Sequence, residues 1–309
     1  MKTVYDHIRS NNRKTWLLVA AFPVVFLAIV FLFVWLAIFL TAAPNQDVIA
    51  GTLSVTTSVA IPVIALCLIW LLISWAFGDS MILSAANAFQ IHDDEKKYRD
   101  LFRSVENTAL AAGLPTPKVY IIDDPAMNAF ATGRTPADAS VAFTTGLLAR
   151  LSNEEIEGVI AHEMAHVGNR DIRLDMMLIT GLGVTIFAAD IIFRMMLFSG
   201  NSGGNNKSRG QMMAILFAVW MAFAVFNFLV APVMRMAVSR QREYLADATG
   251  AHITRNPKAL ASALLKISGN PQIKTKNKSM EAAFIAAPVQ SLFATHPPIE
   301  KRVEKLSQM

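Results

Sequence analysis

The sequence predicts a mainly α-helical integral membrane protein, in which four hydrophobic helices accompany an α+β domain with a small β-sheet. Hydrophobic residues make up 54% of the 309-residue chain and charged residues only 17%, whereas soluble domains are about 25% charged. A membrane helix needs about 20 apolar residues, and three longer segments hold no charged side chain: Trp16–Leu40, Val48–Phe77 and Met212–Met234. This composition excludes an ordinary soluble enzyme and a disordered chain. The single cysteine, Cys67, excludes a disulfide scaffold.

The N-terminal segment sets the predicted orientation in the membrane. Residues 1–15 carry four basic side chains against one acidic one, while the loop after the first hydrophobic run, Thr41–Asp47, has no lysine or arginine. Basic segments beside a span tend to stay in the cytoplasm. The run is longer than the h-region of a signal peptide, about 7–15 residues, so we expect an uncleaved anchor. Region 1–77 is thus predicted to be a cytoplasmic tail and two membrane helices.

Residues 78–175 have a soluble-like composition and are predicted to form the first part of a cytoplasmic domain. A turn rich in glycine and proline precedes Lys118–Ile122, which has the residue types of a strand. Two further short strands are expected around Ala129–Thr132 and Ala139–Phe143. A helix should follow them, because Ser152 with a glutamate three residues later forms a capping box.

The third hydrophobic segment, Met176–Phe198, is the weakest of the four, since it contains Asp190 and Arg194. These two residues lie four positions apart, so they can share one helix face and neutralise each other. The segment can therefore either cross the membrane or form one arm of a shallow hairpin.

A polar loop at Ser199–Gly210 leads to the fourth segment, and region 176–234 is therefore predicted to hold two further membrane or hairpin helices. Region 235–309 is soluble-like and should complete the cytoplasmic domain. Two hydrophobic segments separate the two soluble-like regions, so the chain returns to the same side of the membrane. The net charge of +5 fits this orientation. No nucleic-acid-binding motif accompanies it, so we expect no nucleic-acid partner.

Residues 162–166 read His-Glu-Met-Ala-His within the predicted helix. Histidines at positions i and i+4 share one helix face and can hold one Zn²⁺, with Glu163 beside them. Zinc lowers the pKa of a water molecule toward about 7, and a glutamate can take up its proton. The pattern predicts zinc-dependent hydrolysis. The other interpretation is two unrelated surface histidines on an amphipathic helix.

A catalytic zinc needs three protein ligands and one open position. The glycine and third histidine of the HExxHxxGxxH pattern are replaced by Asn169 and Ile172, and Asp171 lies too close along the chain to turn back on the metal. Glu243 is the better candidate for the third ligand. Asp247, four residues later, could hold the outer nitrogen of a ligating histidine. From spacing alone, a charged helix after a membrane span explains this pair equally well.

Four motifs in order carry a resemblance to a known family: Asn128–Gly133, His162–Asp171, Ser239–Asp247 and Thr295–Pro298. With the four hydrophobic segments, they resemble the HtpX family of membrane-bound zinc metallopeptidases, which is related to the CAAX prenyl proteases. The resemblance implies a zincin domain of the gluzincin type with one zinc per chain, ligated by His162, His166 and Glu243. It also implies that Glu163 is the catalytic acid/base and that Asp247 supports a ligand.

Several supporting residues have two interpretations. The first motif, with Asn128, Ala129 and Phe130, resembles the strand beside the family's cleft, where an extended substrate can add as a further strand; it can also be a purely structural strand. His296 resembles a family position suited to stabilising the developing oxyanion, or is a histidine beside a Pro-Pro turn. Arg240 either orients a carboxylate or marks the cytoplasmic end of a span.

The resemblance implies proteolysis of damaged or misfolded membrane proteins on the cytoplasmic side of the bacterial inner membrane, often in a stress response. The implied partners are these unfolded substrates and the lipid bilayer; protease or chaperone partners stay unidentified. The alternative is a non-catalytic, zinc-stabilised membrane scaffold or holdase. Such a protein should show a closed four-ligand site or a replaced glutamate, whereas Glu163 is present. The sequence therefore favours the enzyme.

Overall fold

The computed structural model describes residues 4–41, 47–198, 206–269 and 297–309. Its main elements in chain order are α1 (Val4–Thr41), α2 (Val48–Ala85), β1 (Ala88–Ile91), α3 (Arg99–Ala111), β2 (Lys118–Ile122), β3 (Ala129–Thr132), β4 (Ser140–Thr144), α4 (Thr145–Arg150), α5 (Asn153–Gly168), α6 (Asp171–Phe198), α7 (Asn206–Val225), α8 (Ala231–Thr254), α9 (Pro257–Ser268) and α10 (Ile299–Ser307). The chain forms two compact units. One, which we call the span unit, comprises 16–73 and 181–234; the other, the site unit, comprises 1–15, 74–180 and 235–309.

Within the described residues, four segments are long and apolar enough to cross a membrane, so the fold class expected from the sequence is confirmed. They are Pro23–Thr41 of α1, Leu68–Ala85 of α2, the whole of α6, and Gly210–Phe228. In the third of them, Arg194 Nε donates to Asp190 Oδ2 at 2.6 Å. This is the one-face pairing that the spacing of the two residues predicts.

The span unit has a hydrophobic core of its own. Residues of α1, α2, α7 and the turn that follows α7 meet in a cluster of buried side chains: Phe26, Val30, Val34, Ile38, Trp70, Ala222 and Phe226. A five-residue π-helical turn, Phe226–Val230, joins α7 to α8. The helical chain thus continues past Met234, where the sequence predicts that the hydrophobic segment ends, and α7 already begins inside the loop predicted for 199–210.

The site unit contains a four-stranded sheet in the order β1-β2-β4-β3. Strands β2 and β4 are parallel, and the two edge strands run antiparallel to their neighbours. The strands predicted at Lys118–Ile122 and Ala129–Thr132 are confirmed, and the third begins one residue later than expected. Strand β1 was not expected, because its four residues follow α2 directly. The reversal there occurs at Asn87, whose φ is 51°.

Helix α5 begins with the predicted capping box, which is confirmed. The Ser152 hydroxyl accepts from the Glu155 N–H at 3.3 Å, and the Glu155 carboxylate accepts from the Ser152 N–H at 2.8 Å. The same carboxylate also accepts from Ser262 and Lys266 of α9, both at 2.7 Å. Glu155 therefore both starts α5 and fixes it against α9.

Two glycines let other helices approach the backbone of α5 closely. A Cβ atom at Gly158 would lie 3.1 Å from Leu260 Cα in α9, and one at Gly250 of α8 would lie 3.0 Å from the His162 backbone nitrogen. Helix α8 therefore packs against α5 at the level of the His-Glu motif. This contact positions the face of α8 that carries Glu243.

Candidate metal centre

Two helices bring together the three proposed ligands. His162 and His166 lie one turn apart on α5, with their Nε2 atoms 3.2 Å apart. Glu243 of α8 faces them: its Oε1 is 3.6 Å from His166 Nε2, and its Oε2 is 3.8 Å from His162 Nε2. Their ligand atoms all lie within 4.8 Å of one another.

The donor set and its spacing fit a tetrahedral metal ion. Zinc binds imidazole nitrogen and carboxylate oxygen at about 2.0–2.1 Å, so two ligand atoms of a tetrahedral site lie about 3.3–3.4 Å apart. The two Nε2 atoms are 3.2 Å apart, and each lies 3.6 or 3.8 Å from a different oxygen of Glu243, so side-chain adjustment must bring one of these oxygens close to both histidines. Among the described residues, this is the one such cluster of histidine, cysteine or acidic side chains.

The outer ring nitrogen, Nδ1, of each histidine lies close to a carboxylate. Asp247 Oδ1 lies 3.1 Å from His162 Nδ1, and Asp171 Oδ2 lies 2.9 Å from His166 Nδ1. Each carboxylate favours a proton on the outer nitrogen and leaves Nε2 to face the cluster. Sequence reasoning placed Asp247 in this role but weighed Asp171 only as a direct ligand. Asp171 returns toward His166 because Arg170 takes a left-handed conformation, with φ at 59°.

Two arginines hold these carboxylates. Arg302 of α10 donates to both oxygens of Asp247, through Nε at 2.8 Å and Nη2 at 2.7 Å. Its Nη1 lies 3.2 Å from Glu243 Oε2, and its Nη2 lies 3.5 Å from His162 Nε2. Arg242 lies 3.5 Å from Asp171 and 2.9 Å from Asp175. Arg242 lies within the Ser239–Asp247 motif, whereas Arg302 lies outside all four motifs that carry the family resemblance.

The charges of the cluster favour a cation. Burial lowers the pKa of His166, but the hydrogen bond to Asp171 and the nearby Glu243 outweigh it and raise that pKa to about 9. Burial raises the pKa of the Asp247 carboxyl, yet the hydrogen bonds from Arg302 and His162 hold it below its ordinary value. The pKa of Arg302 is shifted upward in spite of its burial, because Asp247 and Glu243 surround it.

The cluster lies in a cleft of about 60 Å³. Glu163, which is buried, lines it together with the three proposed ligands. Edge strand β3 forms one wall, and aliphatic side chains of α2 and α6 contribute another group of lining residues: Ile82, Ile172, Met176 and Ile179.

The remaining predicted site residues are placed as follows. Ala129 and Phe130 line the cleft. Asn128 is buried, its N–H donating to Thr144 Oγ1 at 2.9 Å. Arg240 belongs to α8, but its side chain is outside the part of the chain that the structure describes, and His296 lies outside the described residues altogether.

The family model of peptidase family M48 matches residues 95–309. The protease HtpX homolog of Caldanaerobacter subterraneus is 36% identical over 312 residues, covering 100% of this chain and 98% of that protein. The chain belongs to peptidase family M48. This M48 peptidase is also 42% identical to the HtpX homolog of Tropheryma whipplei over 236 residues, which cover 74% of this chain and 78% of the relative. A crystal structure of S. mikatae Ste24p aligns with a TM-score of 0.45 at 18% identity, covering 98% of this chain and 67% of that one.

The resemblance to the HtpX family is therefore confirmed. Family membership, together with four apolar helices, makes this M48 peptidase a membrane metalloprotease. The match at 95–309 includes both helices that carry the proposed ligands, α5 and α8.

Proposed function

We propose that this M48 peptidase is a zinc-dependent endopeptidase that cleaves damaged or misfolded membrane proteins on the cytoplasmic side of the bacterial inner membrane. The observation that carries the proposal is the cluster of His162, His166 and Glu243, with Glu163 in the same cleft. The metal would be held by two imidazole nitrogens and one carboxylate oxygen, which is the donor set of a catalytic zinc in other metalloproteases.

The proposed ligands would hold one zinc ion per chain. When bound, zinc supplies a Lewis acid that polarises the scissile carbonyl and lowers the pKa of water. Among the described side chains, three offer suitable ligand atoms, which leaves one tetrahedral position for water and substrate. That open position favours catalysis over a purely structural metal.

Glu163 is the proposed proton carrier. Its carboxylate accepts a proton from the attacking water and then passes that proton to the departing amine. The residue is 3% exposed, so bulk water has little access to the carboxylate. Because Glu163 follows His162 directly on α5, its position relative to the proposed ligands is fixed.

Edge strand β3 is suited to hold the substrate backbone. Among the described residues it pairs with β4 alone, and it lines the cleft, so an extended peptide can add beside it as a further strand through backbone hydrogen bonds. Such bonds do not depend on sequence, and they need a segment that is already unfolded. The aliphatic wall of Ile82 and Met176 favours apolar side chains, which are abundant in membrane proteins.

The proposed location and physiological role have separate support. The basic residues within 1–15, ahead of the apolar part of α1, favour a cytoplasmic N-terminus, and two candidate spans between α5 and α8 allow the chain to return to that side. The relatives with full-length matches are bacterial. The part in a stress response rests on the resemblance to the HtpX family.

Metal analysis of the full chain, purified in detergent without chelators, tests the site. We expect about one zinc per chain, a large loss of zinc in Glu243→Ala, and no change in Glu106→Ala, which alters an exposed glutamate of α3. Chelation should abolish cleavage of an unfolded membrane protein, and added zinc should restore it. Full zinc occupancy in Glu243→Ala would reject this ligand. Full occupancy without cleavage would favour the scaffold or holdase.

A further inference from the structure

We infer that Arg302 is a positioning residue of the metal site: it holds Glu243 as a one-oxygen ligand and makes the site depend on the docked C-terminal helix. The inference rests on the proposed zinc ligands. It concerns a residue 59 positions beyond Glu243, outside the motifs that define the site.

The burial of Arg302 first indicates a specific role. Its side chain is 0% exposed, although a buried guanidinium is costly unless it is fully paired. Two of its nitrogens donate to the two oxygens of Asp247, and the third lies 3.2 Å from Glu243 Oε2. A planar guanidinium can serve two carboxylates in this way, whereas a lysine is a point charge.

The contact with Glu243 determines which oxygen is available to the metal. Oε2 forms the ion pair with Arg302 and is 3.8 Å from His162 Nε2, while Oε1 is 3.6 Å from His166 Nε2. Because Oε2 is engaged by the arginine, we assign Oε1 as the ligand atom. Ligation by one oxygen leaves the fourth tetrahedral position open for water and substrate.

Arg302 also compensates the negative charge of the ligand face of α8. Glu243 and Asp247 lie one turn apart on that helix and are both buried, so their carboxylates repel each other. A positive charge between them offsets this repulsion. It also keeps Asp247 in contact with His162 Nδ1, at 3.1 Å.

The C-terminal helix α10 brings Arg302 to this position. On the same helix, Leu306 is buried in the core of the site unit, and Ile299 and Val303 pack against that core. Lys305 Nζ lies 3.6 Å above the Tyr244 ring of α8. Docking of α10 therefore assembles part of the metal site as well as the hydrophobic core.

The test compares Arg302→Met and Arg302→Lys with Lys301→Met, a control that changes an exposed residue of the same helix. Zinc affinity of the detergent-solubilised full chain is measured by competition with a chromophoric chelator, and unfolding of the metal-free protein is followed separately. We expect Arg302→Met to raise the zinc Kd by about 10–100-fold, the lysine variant by an intermediate factor, and the control by less than about twofold.

A second variant separates positioning from folding. Arg302→Met leaves Asp247 buried without its partner, so the combination Arg302→Met with Asp247→Asn removes that charge and should still bind zinc weakly. A lower unfolding temperature with an unchanged zinc Kd in the folded variants means a structural role only and overturns the inference. If neither methionine variant folds, the zinc Kd of Arg302→Lys is the deciding measurement. A Kd equal to that of the parent would then also overturn the inference. Failure of the parent to bind zinc instead rejects the proposed function.

Discussion

At the residue scale, the outer nitrogen of each proposed histidine ligand lies close to a carboxylate, and that carboxylate is paired with an arginine. Asp247 and Arg302 stand behind His162, and Asp171 and Arg242 stand behind His166. Such partners fix the tautomer and the ring orientation of a ligand and increase its basicity. In the second arrangement, Asp171 is the first residue of α6 and Arg242 belongs to α8.

Asp171→Asn should weaken zinc binding without unfolding the chain. The amide keeps the size of the side chain but loses the charge that holds a proton on His166 Nδ1, so we expect the zinc Kd to rise by about 10–100-fold. Chelator competition measures the change, with Asp100→Asn on the exposed face of α3 as the control. Equal affinities in all three proteins would remove Asp171 from the site.

Part of the site could be predicted from local spacing, because its residues share helix faces. The i and i+4 spacing on α5 indicates His162 and His166 in this way, whereas the spacing on α8 leaves Glu243 open and the family resemblance selects it. Arg302 lies 55 residues from the carboxylate that it binds, so only the tertiary structure reveals the contact. Asp171 has local spacing, but its role depends on the left-handed turn at Arg170.

At the element scale, one carboxylate both caps the N-terminus of α5 and binds side chains of α9. Glu155 caps the helix and also binds Ser262 and Lys266 of α9. Burial raises the pKa of this carboxyl, but the hydrogen bonds from Lys266 and Ser262 hold it below its ordinary value. The ionised form therefore stabilises the fold.

Glu155→Gln should reduce the free energy of unfolding by about 1–3 kcal/mol near neutral pH, because charge-assisted hydrogen bonds are lost. The folded-state pKa lies below the unfolded value of about 4.3, so this stabilisation is complete above that pH and disappears as pH falls through the folded value. Unfolding temperatures across acidic pH measure it, with exposed Glu157→Gln as the control. A parent–variant difference that stays constant into acid contradicts this explanation.

The sequence predicts some helices and strands but not others, and the differences have physical reasons. Strands β2 and β3 were predicted with their observed bounds, because apolar residues between turn signals mark them. Strand β1 has only four residues and no turn sequence before it. Helix α8 continues past Met234, where the hydrophobic segment ends, to Thr254. The i and i+4 spacing of Glu243 and Asp247 already indicates a helix there.

At the scale of the whole molecule, the two units are interleaved along the chain. The site unit contains 74–180 and 235–309, and the span unit contains the residues between them. Two candidate spans separate α5 from α8. The even number of crossings allows both ligand helices to lie on one side of a membrane.

Cysteine labelling tests this topology in a Cys67→Ala background. Asp94→Cys and Lys258→Cys introduce exposed thiols in the two parts of the site unit, and Asp47→Cys introduces one between α1 and α2. In intact cells, an impermeant maleimide should label only the thiol introduced by Asp47→Cys. After permeabilisation, it should label all three introduced thiols. Labelling of positions 94 and 258 from opposite sides would contradict the paired crossings.

The most direct test of the central claim is the cleavage rate of Glu163→Gln on an unfolded membrane protein, measured together with its zinc content. The amide keeps the shape of the side chain but cannot accept the proton. The variant should hold about one zinc per chain and unfold like the parent, while cleavage falls by about 10²–10⁴-fold. Cleavage at the parental rate by a fully loaded variant would show that Glu163 is not the proton carrier.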